Sequence, residues 1–316
     1  MPVMTVLGPV EPQSLGVTLM HEHLVHAVED EPMDDEALVV SELAGFAECG
    51  GRTIVDLTTV GIGGPEPAAL ARIAAASGLA IVAGTGFYIE DRVPERLRAL
   101  TDDGVRRRLT RDLREGFPGT AVKAGIIGEI GCGTLTSSVV TDFERRVLLG
   151  AAASQRDTGA TITVHTQIDL EPQGLTILDI LEDAGADLSR VVLAHCDARI
   201  DLPYWRAILR RGAIVELSAI GRGRHDGNLL DGSPVPDSSA RIAGLSAVIA
   251  DGYGGQVLLS HDVCARSHLR RFGGGGFSGL LTDIVPRLHA NGVSDQAIQT
   301  MLVATPARLL DLSAAH

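Results

Sequence analysis

The sequence lacks an excess of basic residues, and it lacks any long apolar run. Only 27 lysines and arginines stand against 40 aspartates and glutamates, so the net charge is −13 at pH 7. This balance argues against nucleic acid or an anionic membrane as a partner, because both bind to a basic face. No apolar segment is long enough to span a bilayer, and the N-terminus does not resemble a signal peptide.

Cysteine is also scarce. Cys49, Cys132, Cys196 and Cys264 lie far apart and include no CxxC pair. This usage indicates neither a disulfide framework nor a thiolate metal motif, and the reduced cytoplasm is the simplest location for the protein.

Short apolar segments alternate with helical segments along the 316 residues. Eight of them predict buried strands, at residues 15–20, 53–57, 79–83, 124–129, 161–165, 191–195, 213–217 and 256–260. The segments between and after these strands have helical periodicity. They predict helices at residues 34–48, 68–76, 92–116, 140–157, 175–184, 202–210, 238–250, 279–290, 295–303 and 305–312. Residues 3–14 are expected to form a hairpin-like extension before the first strand.

This alternation predicts an α/β fold with a parallel sheet. Eight strand–helix units in a chain of this length fit a (β/α)8 TIM barrel better than an open sheet. An open doubly wound sheet would more often carry a glycine-rich turn after the first strand, and this chain has His-Glu-His there. No linker or low-complexity segment divides the sequence, although its length permits two domains. We therefore expect one barrel domain over residues 1–316.

Two histidines, His21 and His23, stand at the end of the first predicted strand. Residues two apart on a strand point to the same face, so these imidazoles would make half of a metal site. An isolated His-x-His is more simply explained by one buried histidine and one exposed histidine. The other strand ends decide between these interpretations.

Metal-binding residue types recur where four other strands end. Glu129 ends the fourth strand, His165 the fifth and His195 the sixth, and Asp262 follows the eighth. In a barrel all carboxyl ends of the strands open onto one face, which holds the active site. These side chains would therefore converge with His21 and His23 on a metal. A mixed imidazole and carboxylate set suits Zn, Mn, Fe, Co or Ni.

Together these motifs resemble those of the phosphotriesterase-like family of the amidohydrolase superfamily. The resemblance covers nearly the whole chain and is greatest to the glutamate-bridged branch, that of the phosphotriesterase homology and resiniferatoxin-binding-like proteins. The motifs that carry it are residues 7–10, His21-Glu22-His23-Leu24, residues 53–58, 84–88, 124–131, 164–166, 194–197 and 259–262, and the Arg266-Ser267-His268-Leu269 segment.

The resemblance implies a binuclear metal-dependent hydrolase. His21, His23 and Asp262 would hold the more buried metal, His165 and His195 the more exposed one, and Glu129 would bridge the two. Zinc is the expected metal, with Mn, Fe, Co and Ni as alternatives. A metal-bridging hydroxide would attack a carboxylic ester, lactone or amide of a small-molecule substrate, with Asp262 as the catalytic base. The family also implies a homodimer.

Two departures from relatives bear on this prediction. Many relatives bridge their metals with a carboxylated lysine, but Lys123 lies six residues before Glu129, which is about 20 Å along a strand. Relatives that hydrolyse phosphotriesters rapidly carry a proton-relay histidine after the seventh strand, where this chain has Ala219. Phosphotriester or phosphoester hydrolysis is therefore the alternative, beside a non-catalytic metal-containing binding protein and a barrel without metal.

Five further residues are candidate substrate contacts, each with a purely structural alternative. Tyr88 follows the third strand and would place a hydroxyl near the metals. Arg222 and Arg224 occupy the loop after the seventh strand, where they would bind an anionic group of the substrate. Arg266 and His268 follow Asp262 and would contact either the substrate or the metal ligands.

Overall fold

The computed structural model describes residues 2–26, 31–133, 137–166, 172–221 and 234–312. Two short antiparallel strands, β1 (Val3–Thr5) and β2 (Gly8–Val10), form the predicted N-terminal hairpin. Eight parallel strands follow and lie side by side in chain order. They are β3 (Val17–Glu22), β4 (Gly51–Asp56), β5 (Ala80–Thr85), β6 (Ala124–Gly131), β7 (Ile162–His165), β8 (Val191–Leu193), β9 (Ile214–Leu217) and β10 (Val257–Leu259).

The first and last strands of this sheet meet and close it into a barrel. The Asp262 amide donates to the His21 carbonyl at 3.0 Å, and the His23 amide donates to the Val263 carbonyl at 3.1 Å. The predicted (β/α)8 barrel is therefore confirmed. Its closure lies at the carboxyl ends of the strands, beside the His-Glu-His motif.

Helices follow the strands and cover the outside of the barrel. They are α1 (Glu36–Glu48), α2 (Pro67–Ser77), α3 (Glu95–Arg98), α4 (Asp102–Arg114), α5 (Asp142–Thr158), α6 (Gly174–Asp183), α7 (Leu202–Arg210), α8 (Ser238–Ala250), α9 (Val285–Ala290), α10 (Asp295–Gln299) and α11 (Thr305–Leu310). Most bounds lie within two residues of the predicted ones.

Two helix predictions were wrong in detail. The single helix expected over residues 92–116 is two helices, because Thr101 caps a new one by accepting a hydrogen bond from the Gly104 amide. Two π-helical turns also occur, Leu280–Ile284 directly before α9 and Thr300–Ala304 between α10 and α11. Pro286 and Pro306 follow these turns and lack an N–H, so the regular bonding pattern is interrupted there.

Apolar side chains fill most of the inside of the barrel, and the polar groups of the candidate site lie at its carboxyl end. The buried interior layer takes one residue from each of seven strands: Met20, Val55, Val82, Ile126, Val192, Ile214 and Leu258. A second, larger apolar cluster packs between the sheet and the helices. The barrel is thus a packed core rather than a pore, as the fold requires.

The close approach of β5 and β6 depends on Gly84. A Cβ at this position would lie 2.1 Å from the Gly128 carbonyl oxygen, whereas a Cβ at Gly45 in α1 would have only the Ser278 hydroxyl at 4.0 Å. We expect Gly84→Ala to lower the free energy of unfolding by about 3 kcal/mol, the upper range for overpacking. Gly45→Ala should raise it by about 0.5–1 kcal/mol because alanine favours the helix. Chemical denaturation measures both, and equal effects would contradict the packing assigned to Gly84.

Candidate active site

Strand ends bring the six predicted ligands to one place at the carboxyl end of the barrel. Three stand inside strands, His21 in β3, Glu129 in β6 and His165 as the last residue of β7. His23 immediately follows β3. All six side chains belong to buried residues, the most exposed of which reach only 8%.

His195 lies beyond the strand that was predicted to end with it, whereas Asp262 follows the last strand as predicted. β8 ends at Leu193 and β10 at Leu259, and both ligands adopt left-handed backbone conformations, with φ of 60° and 49°. The left-handed conformation is unusual for residues other than glycine and is typical of functional sites. Here it ends the extended backbone and places both side chains in the cluster.

One carboxylate oxygen lies at the centre of the cluster. Glu129 Oε1 is 2.9 Å from His165 Nδ1, 3.3 Å from His195 Nε2 and 3.4 Å from His21 Nε2. A second carboxylate, Asp262 Oδ1, lies 3.3 Å from His23 Nε2 and 3.9 Å from His21 Nε2. His21 therefore faces both carboxylates. Two groups of three ligand atoms share it, one with His23 and Asp262 and the other with Glu129 and His195.

Side-chain oxygens hold the outer ring nitrogen, Nδ1, of three histidines. Nδ1 of His21 lies 2.9 Å from Glu216 Oε2, and Nδ1 of His23 lies 3.1 Å from Thr58 Oγ1. Nδ1 of His195 lies 2.6 Å from Ser218 Oγ. If Nδ1 carries the proton, Nε2 presents a lone pair to the centre. His21 Nε2 is buried there without a hydrogen-bond partner among the described residues. A buried lone pair directed between two carboxylates fits a cation, so the residues present suit a metal.

His165 is oriented differently from the other three. Its Nδ1 faces the cluster, 2.8 Å from His195 Nε2, and its Nε2 lies 3.3 Å from the Tyr88 hydroxyl. Tyr88 thus lies beside a candidate ligand, where the sequence predicted a hydroxyl near the metals. Burial and the nearby carboxylates of Glu129 and Asp262 raise the pKa of Tyr88 well above its ordinary value, so the hydroxyl keeps its proton.

The residues of the cluster shift one another's pKa values. Burial alone would raise the pKa of Glu129, but the rings of His165 and His21 hold it well below the usual range. Burial lowers the pKa of His21, yet Glu216 and Glu129 raise it well above the ordinary value. Burial and the neighbouring His165 lower the pKa of His195 to about 4. The centre thus contains an ionised carboxylate and a neutral imidazole, which are the protonation states that metal ligands require.

Glu22, between the two histidines of the motif, is a functional residue that the sequence reasoning missed. Its Oε1 accepts hydrogen bonds from the Ser260 hydroxyl at 2.8 Å and the His261 amide at 2.9 Å, and its Oε2 accepts one from the Val263 amide at 2.7 Å. Glu22 therefore fastens the backbone on both sides of Asp262. A glutamate inside an apolar strand was the signal, because strand alternation places it opposite the histidines.

Other supporting residues also went unpredicted. Asp56 Oδ2 accepts from the Leu24 amide at 2.7 Å, which fixes the chain just after His23. Glu216 orients His21, and Asp197 accepts hydrogen bonds from the Ser218 and Ala219 amides at 3.1 and 3.2 Å. These are buried acids at or next to strand ends, a pattern that the sequence contains but does not distinguish from candidate ligands.

The remaining predicted substrate contacts lie in different surroundings. Arg266 donates to the Pro32 carbonyl at 2.9 Å and to Asp34 at 2.8 Å. His268 Nδ1 accepts a hydrogen bond from the Cys264 amide at 3.2 Å. Arg222 and Arg224 lie outside the described residues. The role of all four in substrate binding stays a prediction.

Known proteins resemble this chain in sequence and in fold. Residues 1–310 match the model of the phosphotriesterase family. The chain belongs to the phosphotriesterase family. This finding confirms the resemblance drawn from the motifs and identifies the protein as a metal-dependent hydrolase.

Individual relatives match the chain over nearly its full length. It is 30% identical to the N-acetyltaurine hydrolase of Xenopus tropicalis, with 98% of this chain and 97% of that protein covered. The resiniferatoxin-binding protein of Rhodobacter sphaeroides superposes with a TM-score of 0.90 at 32% identity, covering 98% of this chain and 95% of that one. The phosphotriesterase homology protein of Escherichia coli, solved with phosphate in its active site, superposes with a TM-score of 0.85 at 30% identity, covering 94% and 99%.

The described helices include none that is long and apolar enough to cross a membrane. This agrees with the absence of a long apolar run in the sequence.

The structure predicts that Glu22 stabilises the loop that carries Asp262. In Glu22→Gln an NH₂ group replaces one of the two carboxylate oxygens, which accept hydrogen bonds from the His261 and Val263 amides. The NH₂ group cannot accept such a bond. We expect the free energy of unfolding to fall by about 1–3 kcal/mol. Metal affinity should fall by about 10–100-fold, as for other residues that orient ligands. Denaturation and equilibrium dialysis measure the two. Glu48→Gln, on the exposed end of α1, is the matched control, and a Glu22 variant that behaves like it would refute this role.

Proposed function

We propose that the chain forms a single catalytic domain that holds two divalent metal ions and hydrolyses an acyl bond of a small molecule. The observation that carries this proposal is the position of Glu129, whose Oε1 lies within 3.4 Å of nitrogens from three histidines. A carboxylate in that position is suited to bridge two ions. Bound as a pair, such ions make a water molecule nucleophilic near neutral pH and polarise the bond under attack.

Each proposed ligand has a place in this arrangement. His21, His23 and Asp262 would hold one ion, since their ligand atoms lie within 4.8 Å of one another. His165 and His195 would hold the second, with Glu129 between the two. Zinc is the metal we propose, because imidazole and carboxylate ligands in a buried site suit it, although the same donors also suit Mn, Fe, Co and Ni.

Asp262 is the proposed catalytic base. Asp262 is, with His165, the most exposed residue of the cluster. The backbone on either side of it is fixed by the hydrogen bonds that the His261 and Val263 amides donate to Glu22. From there Asp262 would accept the proton of the attacking water and deliver it to the leaving group. The protonated Tyr88 hydroxyl, next to His165, would donate a hydrogen bond to the oxygen that becomes negative during attack.

Two observations favour an acyl substrate over a phosphoryl one. Ala219 cannot relay a proton, and its backbone is held by hydrogen bonds from its amide to Asp197 and from Arg241 to its carbonyl. The relative from Xenopus tropicalis is named as a hydrolase of an N-acetyl amide. We therefore place an amide first, before esters and lactones.

Phosphoester hydrolysis is the second candidate. It is supported by the phosphate in the active site of the Escherichia coli relative. A non-catalytic binding role is the third, and the name of the Rhodobacter sphaeroides relative points to it. A cytoplasmic location and a homodimer remain part of the proposal.

If Glu129 bridges the ions, Glu129→Gln should lose metal and activity together. The amide keeps the size of the side chain but removes the charge that offsets two cations. We expect wild-type protein to contain about two equivalents of metal by elemental analysis, the variant clearly fewer, and its kcat to fall by more than about 100-fold. Lys123→Ala, directly before β6, is the control and should keep its metal. Loss of metal from the lysine variant alone would show that the bridge was misassigned.

Substrate class is tested by a panel of N-acetyl amino sulfonates, N-acetyl amino acids, lactones, aryl esters, phosphomonoesters and phosphotriesters. The metal-loaded enzyme should give its highest kcat/KM with an acyl compound. Because Ala219 provides no relay, phosphotriesters should be slower by at least about tenfold. A preference for phosphotriesters would overturn the acyl assignment, and a metal-loaded protein inert toward every compound would favour the binding role.

A further inference from the structure

A cavity lies outside the cluster of proposed metal ligands. It has a volume of about 600 Å³ and is bounded by the loop after β4, by residues 92–97 around α3, by α4 and by residues 117–118. Cavities of this size are typical of small-molecule sites. Its lining includes none of the six proposed metal ligands, and its wall residue Val60 accepts a hydrogen bond from the Tyr88 amide at 2.8 Å.

The charged residues that line this cavity all have one sign. Arg92, Arg96 and Arg108 line it, and the lining includes no aspartate or glutamate. In a protein with a net charge of −13, such a concentration of guanidinium groups without acids is unexpected. Positive charges that line one cavity favour an anion between them.

Arg108 differs from three other arginines of α4, which form ion pairs. Arg106 pairs with Asp157 at 2.7 Å, Arg107 pairs with Asp103, and Arg111 pairs with Asp112 at 2.6 Å. Arg108 is half-buried, and among the described residues it forms no ion pair. Its guanidinium instead lies 5.4 Å from the centre of the Phe87 ring. Burial lowers the pKa of Arg108, and the charges of Arg111 and Arg96 lower it further, against the opposing effect of Asp112.

The remaining wall is apolar. Leu97, Phe117 and Pro118 line the cavity together with further prolines and glycines. A hydrated inorganic ion would leave this surface without a contact. A molecule with an apolar group and an anionic end would cover the apolar wall and place its charge at the arginines.

We propose that this cavity binds a small organic anion, a molecule that joins a ring-sized apolar group to a carboxylate, sulfonate or phosphate. The guanidinium groups of Arg108, Arg96 and Arg92 would receive the anionic end through charge-assisted hydrogen bonds. This site is distinct from the proposed hydrolytic centre, and the inference does not depend on the proposed activity.

Benzenesulfonate is a suitable probe because it has a ring, a permanent charge and no hydrolysable bond. Calorimetric titration of the metal-loaded protein should give saturable binding. Arg108→Gln should weaken that binding by at least about tenfold, the usual cost of a lost charge-assisted contact. Arg96→Gln, at an exposed position that does not threaten folding, should weaken it in the same direction. Arg107→Gln, the neighbouring exposed arginine of α4, should leave the affinity unchanged.

Two further measurements distinguish binding in this cavity from binding at the metal centre or through the ring alone. Methyl phenyl sulfone has the same ring without the charge and should bind at least about tenfold more weakly. Benzenesulfonate binding should persist in Glu129→Gln. Binding that survives both arginine variants but disappears in Glu129→Gln would place the anion at the metal centre and overturn the proposal. Absence of saturable binding, or a dimer that dissociates when Arg108 is replaced, would overturn it as well.

Discussion

The interaction on which this structure depends is the contact of one buried carboxylate, that of Glu129, with the imidazoles of His21, His165 and His195. A single buried charge is costly by several kcal/mol, and it is tolerated only when opposite charge and hydrogen bonds surround it. In the described structure the histidines provide these contacts, and Nε2 of His21 faces both the Glu129 and the Asp262 carboxylates, where positive charge is needed. A pair of cations would provide them more completely, which explains why so many ionisable groups are buried together at the open end of an apolar barrel.

The cluster is held from outside by a second set of buried polar groups. Glu216, Thr58 and Ser218 contact the outer nitrogens of three histidines, so the inner nitrogens are directed to the centre. Glu22 fixes the backbone on both sides of Asp262 and joins β3 to the segment that follows β10. The residues that close the barrel are thus the same ones that position the site. Substitution of these supporting groups should therefore lower both the stability of the protein and its affinity for metal.

Much of this arrangement was predictable from the sequence because parallel strands and their carboxyl-end residues follow simple rules. The eight strands appear as apolar runs, and Glu129 and His165 stand inside β6 and β7 as their positions indicated. The left-handed conformations of His195 and Asp262 were not predictable, since they depend on contacts made across the barrel. Thr101 begins a new helix inside a segment that was predicted as one helix, and Glu22 acquires its role only when β3 meets the segment after β10. Arg108 could be recognised only once the partners of its neighbours on α4 were known.

We propose that Glu129 lies between two metal ions. Anomalous X-ray diffraction from crystals of the metal-loaded protein, collected on both sides of the absorption edge of the metal, tests it most directly. We expect two anomalous peaks about 3.5–4 Å apart. One should lie among His21, His23 and Asp262, the other beside His165 and His195, and the Glu129 carboxylate should lie between them. A single peak, or two peaks that the Glu129 carboxylate does not join, would contradict this claim.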